Sequence, residues 1–198
     1  MSINQLYLKA ALACKKVYKK NIDLGTTEFD IFTYPDHVGG GIQILAIAGT
    51  NELKDWGKNF NLWSKKGIKK SAYDAAIEIF GSDYFKDNRA RSLPLIVTGH
   101  SKAGATAIAF NKLPDIRYSA LGSAYCIAFA PARCLRYWAN RKMENATIFT
   151  DPDDPVSFFG RLNFGHPKCK TFKSSNNYFG FKVSDHYIDS WIEHCQNM

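Results

Sequence analysis

A serine flanked by small residues is the feature of this sequence best suited to chemistry. Ser101 lies in the segment Gly99-His100-Ser101-Lys102-Ala103, after the apolar run 93–98 and before a stretch of small residues. That order predicts a buried strand, a sharp turn and a helix. A serine on such a turn exposes its hydroxyl for attack on a carbonyl carbon, and the turn needs small residues two positions away on either side. Gly99 and Ala103 meet that need, so we predict that Ser101 is a nucleophile.

The immediate surroundings of Ser101 allow a second interpretation. A serine at a strand-to-helix turn also serves as an ordinary helix cap with no chemistry. His100 is adjacent to the serine, but neighbouring side chains diverge on a sharp turn. We therefore expect His100 to point into the supporting layer and not to act as a base.

Acids that could help to activate the serine follow it in the chain. A serine hydroxyl is a weak nucleophile until a histidine takes its proton, and a carboxylate must orient that histidine. The predicted strand 146–150 is followed by Asp151-Pro152-Asp153-Asp154. An acid just past the carboxyl end of a strand is suitably placed, and Asp151 and Asp154 are both candidates. The histidines beyond them are His166, His186 and His194, of which His194 lies too far along the last predicted helix.

The alternation of helix and strand patterns predicts the architecture that positions these residues. Helices are predicted over 3–19, 70–80, 102–112 and from 187, and strands over 27–34, 42–48, 93–98, 125–130 and 146–150. A turn rich in proline and glycine joins the first two strands, which predicts a hairpin at the sheet edge. A second hairpin is predicted from 171–173 and 178–183. The fold class is therefore α/β, a sandwich with a mainly parallel central sheet, and residues 1–198 form one domain.

The composition indicates a globular protein that needs no disulfide or metal to fold. The chain has 198 residues, 45% of them apolar, which is enough to bury a core without disulfides or metal. Its five cysteines show no C-x-x-C spacing, so we expect reduced, mostly buried thiols and no metal site. No apolar run approaches the ~20 residues that cross a bilayer, and the first residues lack the layout of a signal peptide. We expect a cytosolic protein.

Charge favours an anionic partner. The formal net charge is +8, and lysines cluster at residues 15–20 and 65–70. Such clusters attract acidic lipid headgroups or nucleic acid, or else form solvated helix faces. Trp56, Phe60 and Trp63 are interleaved with lysines, which predicts a short cover over the site that contacts lipid. Core packing of an amphipathic helix is the alternative for these aromatic residues.

Two segments together resemble a known family. Thr98-Gly99-His100-Ser101 matches the T-G-H-S motif of the class 3 lipases, a branch of the α/β-hydrolases, letter for letter. The segment 47–56, which contains Gly49, Thr50 and the pair Asp55-Trp56, is similar to the family's strand ending in R-G-[ST] followed by D-W. The order of the elements is also the family's, so the resemblance covers most of the chain. Ala48 and Ala103 depart from the family pattern, which has arginine and glycine there.

The resemblance implies a full set of catalytic residues. Thr50 and the backbone N–H of Lys102 would form the oxyanion hole. The family's D-x-V-P segment aligns with Asp154, and Asp151 remains a substitute. His186, which opens the last helix, resembles the catalytic histidine, whereas His166 resembles a family histidine near the entrance that is not the base. The reaction implied needs no cofactor and no metal.

The predicted function is that of a serine esterase, most similar to a lipase or phospholipase. Its expected partners are a lipid or other ester substrate and an anionic membrane surface, rather than nucleic acid. The same residues would serve a thioesterase or an acyltransferase. The alternative from another class is a catalytically silent module with the same fold that binds an anionic membrane or nucleic acid through its basic surface.

Overall fold

The structure, a computed structural model, describes residues 1–18, 27–35, 40–49, 63–113, 124–139, 141–151, 154, 156, 163–173 and 187–198. Its helices are α1 Ile3–Val17, α2 Lys70–Gly81, α3 Asp83–Asn88, α4 Lys102–Lys112 and α5 Ile188–Gln196. Its strands are β1 Phe29–Pro35, β2 Gly41–Ile47, β3 Ser64–Lys65, β4 Ile68–Lys69, β5 Leu95–His100, β6 Tyr125–Phe129, β7 Leu135–Arg136, β8 Lys142–Thr150, β9 Phe164–Gly165 and β10 Lys168–Lys173.

The central sheet has six strands in the order β1-β2-β5-β6-β8-β10. β1 pairs antiparallel with β2, and every other pair in this sheet is parallel. The hairpin predicted at the sheet edge is therefore confirmed. All six residues of β5 are buried, because helices cover both faces of the sheet, and this burial explains the continuous apolar pattern of the strand.

Two helical layers enclose the sheet, which confirms the predicted α/β sandwich. On one face, α2 and α4 pack over a core that includes Ile79, Val97 and Phe110. On the other face, α1 and α5 share a core with Ile127 and Phe149. Small side chains fill most of α4, so that helix lies close to the sheet and is buried along nearly its whole length.

The beginning of the chain is fixed by a capping box. The Ser2 hydroxyl accepts the Gln5 N–H, and the Gln5 side chain accepts the Ser2 N–H, so two of the N–H groups that lack an intrahelical partner at the start of α1 are satisfied. The helix ends at Val17, and Tyr18 follows as its C-cap. Within the described part of the chain, no helix is both long and apolar enough to cross a membrane.

A second, four-stranded sheet has the order β3-β4-β7-β9. The sequence did not predict it, because its strands are two residues long and have no readable periodicity. Lys66 and Gly67, both with positive φ, turn the chain from β3 to β4. In the central sheet, β10 pairs parallel with β8; the second strand of the predicted hairpin, 178–183, lies outside the described residues.

Candidate active site

Ser101 occupies a strained turn at the carboxyl end of β5. Its backbone angles are φ 59° and ψ −125°, a region that residues other than glycine rarely adopt. The Ser101 N–H donates to the carbonyl of Phe129 at 3.0 Å, and the Ser101 carbonyl accepts the Ala132 N–H at 3.2 Å. These bonds hold the strained conformation. Ser101 is the N-cap residue of α4, but its side chain makes no capping hydrogen bond to that helix, so its hydroxyl is not used as an ordinary cap.

The turn requires glycine at position 99 and leaves little room for a side chain at position 104, where β5 and α4 cross. A Cβ on Gly99 would overlap the backbone carbonyl of Ala103, and one on Gly104 would lie 3.0 Å from the Cβ of Pro131. Ala103 presents its carbonyl to Gly99, while its methyl group is buried against the core. The departure from the family pattern at Ala103 is therefore compatible with this turn.

His100 faces the helical layer and not the serine, as predicted. Its Nδ1 lies 3.2 Å from the phenol oxygen of Tyr18, and the two rings meet edge to face. The Tyr18 oxygen also accepts the backbone N–H of Gly49. Because that oxygen is already an acceptor, its own proton is available to His100 Nδ1. Burial is the main reason why the pKa of Tyr18 is raised above its ordinary value, so the phenol stays protonated.

Tyr18 thus connects the turn that carries Ser101 to the loop after β2. A Cβ on Gly49 would overlap the Tyr18 hydroxyl and lie 3.0 Å from the carbonyl of His100, so the close approach of these three residues requires glycine at 49. The sequence analysis predicted a helix over 3–19 that includes Tyr18, but it did not predict this role. A hydroxyl at the end of that helix is the signal that could have found it.

Of the two predicted oxyanion donors, the structure describes Lys102 and not Thr50. Lys102 is the first residue of α4, where backbone N–H groups point out of the helix and favour negative charge. Thr50 directly follows Gly49 but lies outside the described residues.

Both candidate acids lie at the same edge of the sheet as Ser101. They follow β8, which is separated from β5 by β6 alone, and parallel strands present their carboxyl ends together. Asp154 is fully buried, and one of its carboxylate oxygens accepts the Val156 N–H at 2.8 Å. Asp151 is also buried, and its backbone carbonyl accepts the Asp154 N–H. The structure therefore brings the serine and the acids to one place.

Two histidines can be compared with the requirements of a base. His194 packs edge to face against Phe149 and Trp191 on the α1 and α5 side of the sheet, in agreement with its exclusion. His186, the predicted base, lies outside the described residues, directly before Tyr187, the N-cap of α5.

His166 has an environment that suits a base poorly. Burial, together with the positive charges of Arg133 and Arg141, lowers the pKa of His166 to about 4. A histidine with so low a pKa binds a proton weakly at neutral pH and gains little by taking one from a hydroxyl. This agrees with the implication that His166 is not the base.

Of the predicted cover, Trp63 is described, whereas Trp56 and Phe60 lie outside the described residues. The Trp63 side chain is 74% exposed just before β3, so core packing is wrong for this residue. In the part of the chain that the structure describes, no three His, Cys, Asp or Glu side chains are grouped to hold a metal ion. The cysteines are free thiols, and four of the five are buried.

Comparison with solved structures identifies the fold. A lipase from Rhizopus microsporus var. chinensis superposes with a TM-score of 0.59 at 13% identity, over 96% of this chain and 84% of that one. The triacylglyceride lipase of Rhizomucor miehei gives 0.58 at 16% identity, over 88% and 81%. The chain has the α/β-hydrolase fold of these lipases.

Lip2 lipase from Yarrowia lipolytica is also similar, with a TM-score of 0.55 at 14% identity over 85% of this chain and 78% of that one. No family model matches the sequence, and no curated protein sequence matches it. At these identities the likeness establishes the fold.

Proposed function

We propose that this α/β-hydrolase is a serine carboxylic-ester hydrolase of the class 3 lipase type, acting on a lipid ester. The observation that carries the proposal is the strained backbone of Ser101, with φ 59°, at the carboxyl end of β5. Such strain costs about 1–3 kcal/mol and is concentrated at functional sites. A serine that serves only to begin a helix needs neither the strain nor the glycine at 99.

The reaction proceeds through an acyl-enzyme. His186 takes the Ser101 proton as the hydroxyl oxygen attacks the ester carbonyl, and then gives that proton to the departing alcohol. Asp154 orients the imidazole and stabilises its positive form. The backbone N–H groups of Thr50 and Lys102 stabilise the negative charge on the carbonyl oxygen. Water then enters, His186 acts as base again, and the acid is released.

Asp154 is preferred over Asp151 as the orienting acid for a physical reason. A catalytic carboxylate must be held still, and the bond from the Val156 N–H fixes one oxygen of Asp154. Asp154 is also fully buried, where the attraction between a carboxylate and an imidazolium is strongest. Asp151 contributes its backbone carbonyl to the turn that presents Asp154.

The substrate class is supported by surface chemistry and by the neighbours. The net charge of +8 and the exposed Trp63 suit an anionic lipid surface. The similar solved structures are lipases, and one is named as a triacylglyceride lipase. A thioesterase or acyltransferase would use the same residues, so the acyl donor and acceptor must be found with a panel of substrates.

The test is active-site labelling with a fluorophosphonate probe, read by intact mass. Wild type should gain a single adduct, and Ser101→Ala and His186→Ala should gain none, because the first lacks the nucleophile and the second lacks its base. Ser92→Ala is the matched control, since Ser92 is an exposed serine near the opposite end of β5, and it should be labelled like wild type.

Labelling of Ser101→Ala at the wild-type rate would overturn the assignment of the nucleophile. Folded wild-type protein that gains no adduct, with or without lipid vesicles, would overturn the enzyme proposal. In that case, salt-dependent binding of Ser101→Ala to anionic vesicles or DNA would support the silent binding module instead.

A further inference from the structure

Arginine side chains gather around the short strand β9. The guanidinium of Arg136 lies 4.5 Å above the ring of Phe164. A terminal nitrogen of Arg141 lies against Gly165, in the space that a Cβ would fill, and its guanidinium stacks 5.0 Å from the ring of Tyr137. A larger residue at position 165 would displace Arg141. Gly165 therefore leaves room for a cation beside the strand.

The pairing of β7 with β9 brings a further arginine to the same place. Leu135 is opposite Gly165 in this antiparallel pair, and Cys134 directly precedes Leu135 as His166 directly follows Gly165. Arg133 is the next residue along. Its charge and that of Arg141 both reach His166, where they add to burial in lowering the pKa of the imidazole.

His166 has hydrogen-bonding capacity that the described part of the chain does not use. Both of its ring nitrogens are buried and have no hydrogen-bond partner there. A neutral imidazole offers one donor and one acceptor, and buried polar groups are nearly always paired in native proteins. In the same part of the chain, no carboxylate forms an ion pair with Arg141. An unpaired donor beside two guanidinium groups is suited to an anion.

The cluster is next to the nucleophile. The Ala132 N–H donates to the Ser101 carbonyl at 3.2 Å, and Arg133 follows directly. The half-buried Lys69 has a lowered pKa, mainly because of burial and partly because of the charge of Lys102. The backbone of Lys69 is bonded to that of Cys134. Residues 133 and 69 thus follow or pair with backbone that is close in the chain to the partner of the Ser101 carbonyl.

We propose that Arg133, Arg141 and His166 form a pocket for the phosphate group of the substrate, next to Ser101. This inference rests on the proposed function, because the pocket would hold the headgroup while the ester carbonyl meets the serine. Guanidinium groups bind phosphate through paired N–H donors, and the imidazole adds one more. The substrate class that follows is an ester carrying a phosphate, such as a phospholipid.

Binding is tested by NMR on Ser101→Ala protein, which cannot turn over the ligand. The His166 ring protons are titrated with acid in chloride, in inorganic phosphate, and in dihexanoyl phosphatidic acid below its micelle concentration. Phosphatidic acid should raise the pKa of His166 from about 4 toward its ordinary range, because the phosphate offsets the two arginine charges. The additional variant Arg141→Gln should lose most of this ligand-induced rise.

The other NMR outcomes count against the pocket. No response to either phosphate ligand would overturn it. A response to inorganic phosphate without one to phosphatidic acid would overturn its role as a headgroup site, because the ligand would then be free phosphate.

Activity provides an independent test. The quantity is the ratio of kcat/KM for dihexanoyl phosphatidic acid to that for dihexanoylglycerol, both monomeric, so that binding to a lipid surface has no effect. Arg141→Gln should lower this ratio by about tenfold or more, since charged hydrogen bonds are lost. Arg141→Lys should give an intermediate ratio, because lysine keeps the positive charge but lacks the paired N–H donors of the guanidinium group. Arg91→Gln, an exposed arginine on the loop before β5, should leave the ratio unchanged.

These outcomes separate the inference from the function on which it rests. Wild-type hydrolysis of both esters, with the same ratio in Arg141→Gln, overturns the pocket and leaves the esterase intact. Hydrolysis of neither ester, with no fluorophosphonate adduct, overturns the proposed function itself. If the ratio falls equally in Arg91→Gln, overall charge and not the pocket sets the preference for the phosphate ester. That result would also overturn the pocket.

Discussion

The phenol oxygen of Tyr18 lies 3.2 Å from Nδ1 of His100, the residue that precedes the proposed nucleophile. The same oxygen accepts the backbone N–H of Gly49, the residue that precedes the proposed oxyanion donor Thr50. One hydroxyl therefore links the two loops whose spacing, in the proposed reaction, must match a tetrahedral intermediate. We interpret Tyr18 as a positioning residue, since it acts through its neighbours and not on the ester.

Tyr18→Phe should lower kcat while changing KM little, because the transition state depends most on the spacing between the serine and the oxyanion donors. Loss of one well-placed donor in an oxyanion hole costs about 10²–10³ in kcat, and an indirect effect should be smaller, on the order of tenfold. The measurement is steady-state kinetics on a soluble ester, with the melting temperature recorded for each variant.

The matched control for this prediction is Tyr125→Phe. Tyr125 begins β6, at the opposite end of the sheet, and its hydroxyl bonds the Thr147 hydroxyl at 2.7 Å. Tyr18→Phe loses the hydrogen bonds to His100 and Gly49 and Tyr125→Phe loses the one to Thr147, so the melting temperature should fall in both variants, and further in Tyr18→Phe. Equal losses of kcat in the two variants would show that Tyr18 contributes only stability.

Ser101→Gly should make the protein more stable and inactive. Glycine adopts the φ and ψ of residue 101 without the steric cost that a Cβ brings, so part of the strain is released. We expect the free energy of unfolding to rise by about 1–2 kcal/mol relative to Ser101→Ala, measured by urea denaturation. Ser101→Ala is the control because it is equally inactive but keeps the Cβ. Equal stability of the two variants would contradict stored strain at this turn.

Asp154→Asn and Asp151→Asn distinguish the two acids. Replacing the acid that orients the histidine lowers kcat by about 10⁴-fold in the serine proteases, because the imidazole is then held in the wrong tautomer. We expect a loss of that order for Asp154→Asn, and a loss within about tenfold for Asp151→Asn, whose backbone carbonyl is kept. The reverse order would identify Asp151 as the orienting acid.

The cysteines should resist alkylation in the native protein. Burial raises the pKa of Cys14, Cys134 and Cys195 to about 12, and that of the half-buried Cys169 to about 11. A raised pKa lowers the thiolate fraction at any pH below it, and the thiolate is the form that reacts. At pH 8, iodoacetamide should therefore modify the folded chain very slowly, with Cys169 first, whereas all five thiols should react in urea. Rapid modification of Cys14 without urea would contradict this.

The sequence by itself determined the central architecture and the sharp turn that carries Ser101. The helix predicted over 102–112 has those bounds, and the strands on either side differ from prediction by only a few residues. These features are local. The 3.6-residue apolar pattern of a helix and the continuous apolar pattern of a buried strand can be read from neighbouring residues, and the turn itself explains why position 99 must be glycine. Asp151 and Asp154 could both be named as candidate acids for the same reason, since they follow a readable strand, and the local pattern does not choose between them.

Only the tertiary structure decided which distant residues support that turn. Tyr18 and His100 are 82 residues apart, and no local pattern predicts that the end of α1 will contact the end of β5. The proposed phosphate pocket depends on β7 and β9, strands too short to show a periodic pattern, and on Arg141, whose guanidinium occupies the space that a Cβ at position 165 would fill. Hydrophobic periodicity specifies which face of an element is buried. The contacts between polar side chains arise only when packing has fixed the elements against one another, and that packing is a property of the whole chain.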